Sequence, residues 1–575
     1  MPYAATARTA LSRWSRSHRT KLSPSNRTAV SAGRSFSSAR NSFSSFQYPL
    51  ATEPPHVTST TAAEAVQEES TNAAGLSNTK GPREPNDPFD DSHSLSEQDR
   101  EKLRQEQKKK LTTSLSGSTA IETVVPSMIP PNVPADQLET PETLLTVLPN
   151  GVRVVSQETY GQVSTVGVVS ELGSRCEVPG KTSGATNLLE VLAFGATNQY
   201  TGMQVTELLQ DWGGTRFVST GREQTLHCVD LLRPNVDKAC DLLKQVLLEA
   251  QFHPTEVEDA KRALEFQALD LPPELLLGEG LQAAAYGANQ QLGQPHFCPE
   301  TALQNLNTET VHAFWQSQFV HNPAGLVLAG AGVRHEFLVE QADKHFGHLT
   351  QVDEGRMLVQ ESVYRGGEER RQQPSMDGYI RIALGLEVGG WHSNDLVSTC
   401  VLQTLLGGGN SFSAGGPGKG MYSRLYRQVL NRYGWAESAE AFTAFHGESG
   451  LWGISGSTVP QKARDMVQVF AEHLARLAVE NVSDEELDRA RNMLKCNVLT
   501  QLESRLVLFE DLGRQVLTYG QREDMHTTCE KIDAVTKEEL KELALRALSK
   551  PPTLASVGHD LSHMPSQEEV AKWFS

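Results

Sequence analysis

Acidic residues are missing from the first 52 positions, where eight basic side chains stand (Arg8, Arg13, Arg16, Arg19, Lys21, Arg27, Arg34 and Arg40) and the first acid is Glu53. An Arg- and Ser-rich start without acids has the composition of an organellar transit segment. The run Arg34-Ser35-Phe36-Ser37-Ser38 resembles a matrix cleavage region, so the mature chain is expected to begin between Ser35 and Ala51. Long apolar runs are also missing. No stretch approaches the roughly 20 residues that a membrane-spanning helix needs, which excludes that class of integral membrane protein. Cysteine is scarce: seven in 575 residues, far apart, odd in number and without a C-x-x-C pair. That excludes a disulfide scaffold and the usual structural zinc spacings, and it fits a reducing compartment.

What is present is mostly acid. The whole chain carries a net charge of −18, and without its first 52 residues 44 basic side chains face 70 acidic ones. A body this acidic repels nucleic acid and attracts basic peptides. Residues 53–138 are rich in Thr, Ser, Glu, Pro and Asn. Such a segment buries too little apolar surface to offset its ordering entropy and is expected to be disordered, with a transient charged helix over 97–110. Folded structure is expected from about residue 139, opening with a hairpin: Leu144–Leu148, the turn Pro149-Asn150-Gly151, then Val152–Ser156.

The remainder reads as a duplication. A strand at 163–170 leads to a helix near 183–194, and a strand at 379–388 leads to a helix near 395–406. Residues 188–192 then lie over 401–405 at an offset of 213, and 256–264 lie over 486–494 at an offset of 230, both pairs with helical apolar spacing. The second copy has therefore gained 17 residues between the two matches. The obvious place is the run 407–420, in which seven of fourteen residues are Gly. Glycine this dense disfavours a helix or a packed strand, so the run is expected to be a mobile loop. It is no phosphate cradle: Gly418-Lys419 is followed by Gly420 where a P-loop needs Ser or Thr, and a helix precedes it. Its exposed backbone and Phe412 suit contact with peptides of varied sequence. The candidate substrate-binding residues are Gly407, Gly408, Gly409, Asn410, Ser411, Phe412, Ser413, Gly415, Gly416, Gly418, Lys419 and Gly420, with Glu437, Glu440 and Glu448 as acids beside them. His345-Phe346-Gly347-His348 reads as ordinary surface histidines rather than a metal site.

The helix Gly184–Phe194 resembles the inverted zinc motif H-x-x-E-H of the pitrilysin-like metallopeptidases. In that motif two His one turn apart bind zinc and the Glu activates water. Placed on it, Asn187 and Val191 stand at the two His positions and Glu190 remains. The resemblance places the third ligand at Glu265. A set of one Glu, one amide and one valine does not hold zinc, so these four are degenerate motif positions and the chain is expected to be catalytically inactive.

A second stretch narrows the resemblance. Leu405-Leu406-Gly407 through Gly420-Met421-Tyr422-Ser423-Arg424-Leu425-Tyr426, then Asn431-Arg432-Tyr433 and Trp435–Phe442, is similar to the non-catalytic alpha-subunit branch of this family, the branch found in mitochondrial processing peptidases. The resemblance implies an α+β fold of two homologous sheet-plus-helix domains, 139–365 and 366–575. It also implies a matrix location, no metal in this chain, zinc in a beta-subunit partner, and recognition of basic presequence peptides by the glycine-rich loop. Two alternatives stay open: a structural core subunit of ubiquinol–cytochrome c reductase, with the inner-membrane association that implies, and an active zinc peptidase with an unconventional site.

Overall fold

The structure is a computed structural model that describes residues 141–159, 161–373, 377–410 and 421–574. The transit segment, residues 53–138 with the helix expected at 97–110, and positions 411–420 of the glycine run lie outside the described residues.

The first half runs β1 (Thr143–Val147), β2 (Arg153–Gln157), β3 (Val163–Ser170), α1 (Ala185–Leu192), β4 (Thr215–Thr220), β5 (Thr225–Leu232), α2 (Val236–Leu248), α3 (Pro254–Leu269), α4 (Pro273–Tyr286) and β6 (Leu326–Ala331). The second runs β7 (Gly367–Gln372), β8 (Ile380–Gly389), α5 (Leu396–Leu406), β9 (Gly408–Asn410), β10 (Ala436–Phe445), β11 (Ser449–Thr458), α6 (Ala463–Val479), α7 (Asp484–Leu502), α8 (Arg505–Tyr519) and β12 (Thr553–Gly558). Shorter helices fill the connections.

Each half builds one six-stranded sheet, ordered β1-β2-β6-β3-β5-β4 and β7-β12-β8-β11-β10-β9. Laid over each other, β2, β6, β3, β5 and β4 match β7, β12, β8, β11 and β10, and both sheets carry their single parallel pair at the same place, β2 with β6 and β7 with β12. The copies differ at the edges: β1 is added at one end of the first sheet, and β9 at the other end of the second. The expected α+β class and the duplication are therefore what the chain adopts. The matched segments 256–264 and 486–494 lie in α3 and α7.

Period-2 chemistry explains why these strands lie between two layers of helices. In β8 the residues Ile380, Ile382, Leu384, Leu386 and Val388 all point into one core with α5 and α6. On the other face Ala383 and Gly385 are small, and α4 settles on them: Ala383 packs with Leu277 and Leu281, and a Cβ on Gly385 would lie 3.4 Å from Leu281. The arrangement is reciprocal. Helix α4 of the first half covers the second sheet, while α8 of the second half covers the first through Leu508, Phe509, Leu512 and Val516 against Val155, Val169, Val327 and Ala329. Neither half buries both faces of its own sheet with its own helices.

Two expectations need correcting. The glycine run does form a strand at its start: Gly408, Gly409 and Asn410 pair antiparallel with Glu440, Ala439 and Ser438 of β10. Backbone hydrogen bonding to an existing edge outweighs the entropy cost of glycine here, because Gly408 adopts φ +115°, and a Cβ there would collide with the carbonyl of Ala439. The 17 extra residues are also not confined to the run. The offset is already 225 at the hairpin turns, Gly221 against His446. The rest accrue later, chiefly because α6 has 17 residues where α2 has 13.

Candidate functional site: a degenerate metal helix and a glycine-rich edge

Helix α1 begins after Gly184, whose φ of +81° and contact with Cys298 leave no room for a side chain. Its first turn is held by a buried carboxylate. Glu177 accepts hydrogen bonds from the backbone N–H of Gly184 (2.6 Å) and Thr186 (2.8 Å), capping the positive end of the helix. Burial nevertheless pushes Glu177 up to about 7. Sequence reading missed this residue; an acid seven positions before a helix start gives no periodic signal.

Asn187 and Val191 share one face of α1, as i and i+4 must. Asn187 is buried, and its Oδ1 accepts a hydrogen bond from the Cys298 backbone N–H at 3.1 Å, so the one atom able to approach a cation is already engaged. Val191 is 42% exposed and has no lone pair. Glu190 accepts a hydrogen bond from the Thr220 hydroxyl at the end of β4, and burial raises its pKa. Glu265 is exposed on α3, which packs against α1. These residues do not fit a catalytic zinc, which needs three N, O or S ligands converging on one point. Among the described residues no other group of His, Cys, Asp and Glu could hold a metal ion. His345 is not the surface residue expected: it is buried in the last turn of the helix His335–Phe346, 4.0 Å from Asp241.

Gly407 ends α5 at φ +54°, where a side chain would strike Ser423. Its carbonyl accepts from Ala441 N–H (2.8 Å), and Gly408 N–H donates to Ser423 Oγ (3.1 Å). On the far side of the run, Arg424 is ion-paired with Glu486 and Leu425 is fully buried. Both ends of the run are thus fixed to the second sheet and its helices.

The three acids beside it part company. Glu448 is structural: together with Glu223 it grips the buried guanidinium of Arg175 (2.8 and 3.1 Å from Glu448), and it accepts from Ser362 N–H at 2.8 Å. Glu223 also accepts from Gly447 N–H (3.1 Å). This network ties the β4–β5 turn to the β10–β11 turn, on the wall of a cavity of about 190 Å³, and no spacing in the sequence points to it. Glu437 has a partner of its own. Glu440 is half-buried beside Gly408; burial first, and then the charge of Glu274 at the start of α4, push it up to about 8.

Comparison with known proteins assigns this arrangement. Residues 153–300 match the family described as insulinase (peptidase family M16), and 305–494 match the peptidase M16 inactive domain. The chain is 35% identical over 449 residues to the probable mitochondrial-processing peptidase subunit alpha-1 of Arabidopsis thaliana, spanning 78% of this chain and 87% of that one. It is also 35% identical over 450 residues to the mitochondrial-processing peptidase subunit alpha of Homo sapiens, spanning 75% and 84%. The fold is shared by a chain of complex III2 from Candida albicans, Inz-5 bound, with a TM-score of 0.66 at 18% identity, covering 75% of this chain and all of that one. The chain belongs to peptidase family M16, in the group of mitochondrial-processing peptidase alpha subunits.

Proposed function

We propose that this chain recognises the basic presequences of proteins imported into the mitochondrial matrix and presents them to a zinc-bearing beta subunit, with which it forms a heterodimer. The observation that carries the reading is an intact fold around a motif helix whose side chains do not fit zinc, joined to a glycine run anchored at both ends on the second sheet and its helices. A chain relieved of catalysis keeps the surface that meets the substrate. An acidic body supports the same reading, since it draws in basic segments electrostatically. The domain boundaries proposed are 139–365 and 366–575, with a transit segment lying within residues 1–52 and cleaved between Ser35 and Ala51 on import.

The test is reconstitution with the beta subunit. The chain alone should bind no stoichiometric zinc and cleave nothing, and the heterodimer should process a precursor. Removing residues 411–420 while keeping Gly407–Asn410 should leave thermal stability and assembly unchanged, because loop closure depends only weakly on length, and should slow processing. Unchanged processing at unchanged assembly overturns the recognition role of the run. Association with a respiratory complex is the competing proposal, supported only by the shared fold; co-migration with complex III on native gels would favour it.

A further inference from the structure

Helix α3 outlasts the surface it packs on. Val257, Ala260 and Leu264 are buried, but beyond Leu264 every residue to Asp270 is exposed, including Phe266 (73%) and Leu269 (80%). Three residues apart, these two share one helix face, an apolar tip left exposed among the described residues. Of the charged side chains around it, Arg262 is ion-paired with Asp259 (2.6 Å), while Glu265 and Asp270 make no ion pair among the described residues. Five residues after Leu269 comes Glu274 in the first turn of α4, and Glu274 acts electrostatically on Glu440, which lies opposite Gly408 at the start of the glycine run. The Glu274–Glu440 pair and the start of the run thus lie at one end of the second sheet, and the α3 tip is joined to that end by the short link from Leu269 to Glu274. Glu274 has a partner in Arg381 (2.9 Å), itself shared with Asp377, whereas Glu440 makes no ion pair among the described residues, and its register partners Ser455 and Gly408 carry no charge.

We propose that this corner is the docking surface for one amphipathic basic segment: Phe266 and Leu269 take its apolar side, and Glu440 takes one of its guanidinium groups. The inference rests on the presequence-recognition reading and adds the residues and the chemistry. Charge complementarity chooses the occupant, because an apolar tip rimmed by unpaired acids fits a segment carrying arginine and no acid. The chain itself supplies an example of that ligand class in its first 52 residues, where Leu11 and Trp14 stand three apart among Arg8, Arg13 and Arg16. Glu440 adds a signature. Pushed up to about 8, its carboxyl is mostly protonated at neutral pH in the free protein. A guanidinium beside it favours the ionised form, so docking releases a proton and tightens as the pH rises toward about 8.

The probe is an acetylated, fluorescent peptide of residues 1–34 of this chain, and the protein is the mature chain assembled with its peptidase partner. Affinity is read by anisotropy at about pH 6.5 and about pH 8.5, either side of the shifted carboxyl. Wild type should bind more tightly at the higher pH. Glu440→Gln should bind about tenfold more weakly there, the scale of one charge-assisted hydrogen bond, and should lose the rise. His18 of the peptide loses charge in the same range and works in the opposite sense, so the comparison is between wild type and variant. Phe266→Ser with Leu269→Ser should weaken binding severalfold at both pH values with assembly unchanged; both residues are exposed, so folding is not at stake. If wild type binds and all variants bind like it, the docking surface is refuted while recognition stands. If the Ser pair abolishes assembly instead, the tip belongs to the partner subunit and the proposal falls. If wild type does not bind the peptide, the recognition reading falls too.

Discussion

Asn187 and Val191 fail as metal ligands for different reasons, and the difference predicts how each responds to change. Val191 faces solvent, so Val191→His should alter stability by less than about 0.5 kcal/mol. Asn187 is buried and satisfies the Cys298 N–H. Asn187→His leaves that donor unsatisfied and should cost about 1–3 kcal/mol in a urea titration. The double variant takes up zinc only if Glu265 comes into register, which metal analysis of the purified chain would decide. Glu440 carries the second residue-scale prediction. Its folded pKa lies above that of an unfolded carboxyl, so the folded state holds its proton more tightly. Its penalty is absent below the unfolded value near 4.5 and grows as the pH rises to about 8. Glu440→Gln should therefore raise the melting temperature at pH 8 and leave it unchanged at pH 4; an equal rise at both would mean the carboxyl is not shifted.

At the scale of elements, the decisive contacts are those between a helix of one half and the sheet of the other. Gly513 sits in the middle of α8, where a Cβ would collide with the Val169 side chain on β3. Replacing a helical Gly by Ala gains about 1 kcal/mol of propensity, but overpacking a close contact costs about 1–3 kcal/mol. The clash falls on Cγ2 of Val169, with its Cβ at 3.1 Å, a β-branched side chain in a central strand that has little freedom to turn aside. Gly513→Ala should thus lower stability, whereas Ala at the exposed Gly434, where nothing lies within 4 Å, should not. The β9 edge obeys the same logic. Gly408→Ala should break its pairing with β10 and expose the Ala441 amide, which donates to the Gly407 carbonyl, to hydrogen exchange; unchanged protection would contradict the strand.

For the whole molecule, the Arg175 network and the exchanged helices make the two halves one cooperative unit. Arg175→Ala would strand Glu223 and Glu448 without their cation, and breaking a buried pair by removing one partner costs about 3–5 kcal/mol. Because α4 and α8 each cover the sheet of the other half, 139–365 and 366–575 expressed apart should each leave an apolar sheet face open and aggregate, and the intact chain should unfold in a single transition. Two separated transitions in calorimetry would show that the exchange contributes little.

The duplication, the hairpin at 143–157, the strands at 163–170 and 380–389, and the degenerate motif were all legible from residue order, because each depends on spacing within one segment: a period of two, a period of 3.6, or a motif on one helix face. What spacing cannot carry is which face of a sheet is covered by which distant helix. That was decided by packing, where the small residues Ala383 and Gly385 leave a shelf for α4, and Gly513 lets α8 close on β3. The same holds for the acids. Glu437, Glu440 and Glu448 look alike in sequence, and only tertiary contacts, the buried Arg175 for one and burial followed by the charge of Glu274 for another, make Glu448 structural and push the Glu440 carboxyl up. Local order determined the elements and the Asn187, Glu190 and Val191 pattern on one helix; long-range contact assigned the charges their roles.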